Sequence, residues 1–194
     1  MEYFPKKILL VEDEAILALL EKRWLQNEGY EVTHVLSGEA AILIVKEKEQ
    51  VFDLILMDID LGKGIDGTEA AQEILKENDI PLLFLSSHTE KEIVKKTEKI
   101  TSFGYVVKGS DETVLLASIK MAFKLYKAYE DLQLKERAFE NSQKTLSIIL
   151  DSFPGLVYWK NKELTYQGSN KIFADAAGIF EPAKINGLND YDLP

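Results

Sequence analysis

Four short apolar runs in this chain end abruptly in residues that carry chemistry. The sharpest is LILMDID, Leu54 to Asp60, where four apolar residues run into Asp58. Such a run reads as a strand buried on both faces, with a carboxylate at its C-terminal end. KILLVEDE ends in Glu12 and Asp13, PLLFLSS in Ser86 and Ser87, and GYVVKGS in Lys108. In an open parallel α/β sheet, ligands bind outside the carboxyl ends of the strands. If these strands are parallel neighbours, acids, hydroxyls and one ammonium meet at one edge.

Between the strands lie stretches with helical character. Ile16, Leu19, Leu20 and Trp24 recur at helical spacing after the first strand, and Gly29 is a natural stop. YEVTHVLSG is a second strand, mixed in polarity as at a sheet edge, and GEAAILIVKEKE a second helix. The loop LGKGIDG leads into a third helix, TEAAQEILKEN. EKEIVKKTEKI reads as a fourth, and Ser110 or Asp111 can cap the helix that follows the fifth strand. This alternation specifies a three-layer α/β sandwich around a parallel sheet.

That last helix does not stop on schedule. There is neither Gly nor Pro from Thr113 to Ser152, and Leu125, Leu132, Phe139, Leu146 and Phe153 fall seven apart. Their companions Tyr129, Glu136, Gln143 and Leu150 are apolar only at the ends. A coiled-coil homodimer is therefore weakly specified, against a solvated connector helix. After Ser152, Pro154 and Gly155 break the helix. Two strand-like runs, GLVYWKN and ELTYQGS, precede a helix-like NKIFADAAGI and a turn-rich end.

Composition excludes some chemistry. A formal net charge of −10 argues against nucleic-acid binding. The absence of cysteine excludes disulfides and thiolate zinc sites. No apolar run approaches the roughly 18 residues needed to span a bilayer, so a cytoplasmic protein is expected. Clustered carboxylates at Glu12, Asp13 and Asp58 hold either a proton or a cation, and hard oxygen ligands suit Mg²⁺. One carboxylate can then act as nucleophile toward phosphorus, with a lysine and a hydroxyl on the phosphoryl oxygens.

Jointly, VEDE, LILMD, LFLSS and GYVVK make residues 6–127 resemble the receiver domain of two-component response regulators and hybrid histidine kinases. The resemblance implies a five-stranded parallel sheet in the order 2-1-3-4-5 flanked by helices. It implies that Asp58 accepts a phosphoryl group from the phosphohistidine of a histidine kinase or phosphotransfer protein. Glu12, Asp13 and Asp58 would bind Mg²⁺, with the backbone carbonyl of Asp60 as a further ligand. Lys108 would bind phosphate, Ser86 would be the switch hydroxyl and Tyr105 the switch aromatic. Asp60 and His88 take the positions that tune phosphoryl lifetime. Two departures from the family stand out: the loop IDLGKGIDG is one residue longer than in many receivers, and Gly109 replaces a common proline.

From about residue 143 onward the chain resembles the first half of a PAS sensor domain, with Tyr158, Trp159 and Phe173 as core or pocket residues. The expected organisation is a receiver over 1–127, a connector helix or coiled coil over 128–152, and an incomplete PAS domain over 153–194. No enzyme activity is expected of this stretch. In a longer protein, a histidine kinase core could follow Pro194. Two alternatives remain open. One is a haloacid dehalogenase-like phosphatase, with Asp58 as nucleophile and Asp60 as general acid. The other is an adaptor or dimerisation module that is not phosphorylated.

Overall fold

The computed structural model of the chain describes residues 5–47, 50–87, 100, 102–179 and 181–193. The expected helix EKEIVKKTEKI, except its last residue Ile100, and His88 lie outside them. Strands β1 (Lys7–Val11), β2 (Glu31–Val35), β3 (Leu54–Asp58), β4 (Leu82–Ser86) and β5 (Tyr105–Val107) form one parallel sheet in the order β2-β1-β3-β4-β5. Helices α1 (Ala15–Asn27), α2 (Gly38–Lys46) and α3 (Gly67–Leu75) connect the first four strands, and α4 (Glu112–Ser152) follows β5.

Side chains alternate across the sheet and build two cores. Leu9, Val11, Ile55, Met57 and Phe84 pack against Ala41 and Val45 of α2 and Ala70, Ala71 and Ile74 of α3. Ile8, Leu10, Leu54, Leu56 and Leu85 pack on the other face against Ala18 and Leu25 of α1 and Leu115, Ile119 and Ala122 of α4. The central strands β3 and β4 are buried throughout, which is why they read as continuous apolar runs. β2 lies at one edge of the sheet, as its mixed polarity foretold, and β5 at the other.

Helix α1 forms where expected but turns another face inward. Ile16 and Leu19 are 86% and 70% exposed, while Ala18, Glu21 and Leu25 are buried. The caps are those of standard helix chemistry. Ser37 Oγ accepts from the Ala40 N–H, Asp66 from those of Thr68 and Glu69, and Asp111 from that of Val114.

The chain separates into two compact units, Met1–Glu130 and Asp131–Pro194. In the second, β6 (Tyr158–Lys160) and β7 (Tyr166–Ser169) form an antiparallel hairpin, followed by α5 (Lys171–Ala176) and a 3₁₀ turn over Pro182–Ile185. Tyr166, Ala174, Ile179 and Ile185 form its small core. The Tyr158 and Phe173 rings lie 4.6 Å apart at a tilt of 39°, beside Tyr166, whereas the Trp159 ring covers Gly168. Asn170 caps α5 by accepting from the Phe173 N–H. Its amide also donates to the carbonyls of Leu150 and Gly155, so one side chain joins the helix end to the hairpin.

Candidate functional site

Strand register brings the polar ends together. Val11 pairs with Met57, so Glu12 comes level with Asp58 on the neighbouring strand. Asp58 pairs with Leu85 and Ser86 with Val107, which puts Lys108 one step past the end of β5. Glu12 and Asp58 are fully buried and Ser86 nearly so. Asp13 and Asp60 are exposed. Ligand oxygens of Glu12, Asp13 and Asp58 lie within 4.8 Å of one another.

Lys108 closes this cluster from β5. Its ammonium lies 2.9 Å from Oε1 and 2.7 Å from Oε2 of Glu12, and 2.7 Å from Oδ2 of Asp58. Burial pushes both carboxyls above the ordinary carboxylate range, and Lys108 works against that rise. Burial also pulls the Lys108 ammonium down, but its hydrogen bonds to Asp58 and Glu12 outweigh this and leave its pKa raised. Backbone groups fix the acids further. Asp58 Oδ1 accepts from the Asp60 N–H at 3.1 Å, and Glu12 Oε1 from that of Glu14 at 3.1 Å.

The long loop after Asp58 is held by residues that sequence reasoning left out. Asp13 Oδ2 accepts from the Gly62 N–H, and Glu39 Oε1 from the Ile65 N–H. That second bond holds the Glu39 carboxyl below its ordinary range. Gly67 starts α3 directly against the acceptor strand, where a Cβ would come 1.8 Å from the Asp58 carbonyl oxygen. His34, on β2, donates from Nε2 to the Glu12 carbonyl at 2.8 Å. Only the glycine run hinted at any of this, because the other contacts are tertiary.

Gly109 takes φ +77°. Proline, locked near about −65°, cannot adopt that conformation. The chain after Lys108 therefore follows a path that only glycine takes without strain. Tyr105 stands 41% exposed at the start of β5.

Behind the site lies a further acid. Glu21 of α1 is 4% exposed, and its Oε2 has no hydrogen-bond partner. Burial, and next the charge of Glu12, push it up to about 7. It lines a cavity of about 90 Å³ with Trp24, Leu85 and Leu115.

A family model, the response regulator receiver domain, matches residues 8–120. The chain belongs to this family. Receivers act in two-component signalling as phosphoacceptor modules rather than catalysts, partner histidine kinases or phosphotransfer proteins, and generally bind Mg²⁺ at an acidic pocket. This receiver is similar to the uncharacterized transcriptional regulatory protein YrkP of Bacillus subtilis (strain 168), 31% identical over 135 residues, 69% of this chain and 56% of that protein. It is 30% identical to the regulatory protein VanRc of Enterococcus gallinarum over 165 residues, 82% of this chain and 68% of that one. Among solved structures, it resembles the N-terminal domain of a response regulator/sensory box/GGDEF 3-domain protein from Carboxydothermus hydrogenoformans. The two are 43% identical with a TM-score of 0.60, over 64% of this chain and 98% of that one. The receiver chain spans only 56% of YrkP and 62% of the regulator PdtaR of Mycobacterium tuberculosis. The family match displaces the haloacid dehalogenase-like reading. Among the described residues, no helix is long and apolar enough to cross a membrane.

Proposed function

We propose that Asp58 accepts a phosphoryl group from a phosphohistidine on a histidine kinase or phosphotransfer protein. The bond from phosphorus to the imidazole nitrogen breaks as the bond to an Asp58 oxygen forms. The observation that carries this reading is the convergence of three carboxylates within 4.8 Å, two of them buried, with one ammonium across from them. That donor set fits Mg²⁺: hard oxygens, one acid exposed, and no nitrogen or sulfur ligand among them. Glu12, Asp13 and Asp58 would hold the ion with the Asp60 backbone carbonyl. When bound, Mg²⁺ supplies positive charge against the phosphoryl oxygens.

In this reading Lys108 pairs with a phosphoryl oxygen, and the Ser86 hydroxyl hydrogen-bonds another. Tyr105, outside the site at rest, moves inward as the switch aromatic, with β5 carrying the change to α4. Asp60 and His88 tune the lifetime of the phosphoryl group through the approach of water.

The chain is divided functionally into a receiver over 1–127, a connector over 128–152 and the start of a PAS sensor domain over 153–194. The hairpin, helix and aromatic core of the second unit support the last assignment. So does the Carboxydothermus protein, in which a sensory box accompanies a receiver. The connector also joins two copies of the chain as a homodimer, a reading supported by its exposed apolar stripe.

The test is intact-protein mass after incubation with Mg²⁺ and acetyl phosphate, on wild type and Asp58→Asn. One added phosphoryl group on wild type alone is expected. No adduct and no beryllofluoride complex would favour the adaptor that is not phosphorylated.

A further inference from the structure

Four large side chains inside α4, Leu125, Leu132, Phe139 and Leu146, are 48%, 59%, 65% and 53% exposed. They stand seven apart on one unbroken helix. A coiled-coil seam needs a second line of positions beside them. With this stripe at heptad position d, the a line is Tyr129, Glu136, Gln143 and Leu150. With the stripe at a, the d line is Ala128, Lys135, Ser142 and Ile149. Leu134 and Ile148 fall outside the seam in both registers.

Charge separates the two. With the stripe at d, Lys135 takes position g and Glu140 the e position five residues on. In a parallel pair, g of one helix meets e of the other at that spacing, so each Lys135 meets Glu140 of the second copy. With the stripe at a, the same relation sets Asp131 against Glu136, two like charges. The first register also puts Gln143 opposite itself. Glu136 and Gln143 are both polar a positions, and polar side chains at a lower the stability of a two-stranded coil.

Resting on the homodimer reading above and deepening it, we propose that α4 pairs in parallel with α4 of a second copy of this chain. The Leu125 stripe lies at d, the two Lys135–Glu140 pairs set the register, and opposed Glu136 carboxylates keep the seam weak.

The chain has no cysteine, so single-cysteine variants of the full chain report the seam directly. Under mild oxidation, Gln143→Cys is expected to cross-link fastest and Asn141→Cys, on the outer face, slowest. Fastest cross-linking by Ser142→Cys would overturn the register and leave the homodimer standing. A dimer in sedimentation equilibrium that cross-links at neither 142 nor 143 would overturn the parallel seam alone. A monomer at all concentrations would overturn both. In the same measurement, Glu136→Leu is expected to tighten dimerisation by about tenfold or more, and Lys135→Leu to weaken it. The reverse order would overturn the register.

Discussion

Glu21 is an acid buried in the receiver core, only 4% exposed. Its carboxyl has an unpartnered oxygen in a cavity shared with Trp24 and Leu85, and its pKa is pushed up to about 7. The folded protein therefore holds a proton that the unfolded chain releases near the ordinary value of 4.5. Stability from this group is fully present below pH 4.5 and is lost as pH rises through about 7. The loss amounts to about 3 kcal/mol on the alkaline side. Glu21→Leu should flatten this slope and raise stability at pH 8, as read from urea unfolding at pH 5 and pH 8. The raised carboxyls of Glu12 and Asp58 have a parallel consequence. Protons compete with a cation for these oxygens. Mg²⁺ affinity, measured by calorimetry, should therefore weaken on acidification while the pH is still above the ordinary carboxylate range.

Among the elements, the first residue of α3 shows how closely the site depends on backbone. Gly67→Ala drives a methyl group into the Asp58 carbonyl, which stands only 1.8 Å from the ideal Cβ. The expected cost is about 3 kcal/mol in denaturant unfolding, with loss of phosphoryl acceptance. Gly109→Ala meets no atom within 4 Å and strains only a positive φ, at a cost of about 1 kcal/mol. Equal effects of the two changes would show that close approach is not what Gly67 provides. The same elements show what can be read from sequence. β3 and β4 were legible because a strand buried on both faces leaves an unbroken apolar run, and their polar ends mark the sheet edge. The packing face of α1 was not, because Ile16 and Leu19 keep helical spacing while facing water. Glu39 and His34 were missed because each acts through one backbone contact to a segment distant in sequence. The sheet order came from family resemblance, since alternation alone leaves it open.

At the scale of the whole molecule, α4 belongs to both compact units. Its first turns seal one core of the sheet through Leu115, Ile119 and Ala122, and its last turn holds Asn170 through the Leu150 carbonyl. Replacing Glu130 and Asp131 with two glycines should leave phosphoryl uptake by Asp58 unchanged and uncouple the second unit. Hydrogen exchange with and without beryllofluoride would show it: protection in 153–193 responds to the ligand in wild type and not in the variant. An unchanged response would reject transmission through the helix. The Lys108 ion pairs bear on the molecule as a whole. With its three carboxylates ionised beside one ammonium, the cluster falls short of electroneutrality by two positive charges, within a chain already at −10. One divalent ion supplies that deficit, whereas one monovalent ion supplies half of it. The receiver should therefore discriminate among salts by valence, gaining melting temperature from millimolar Mg²⁺ that no equal concentration of sodium can provide.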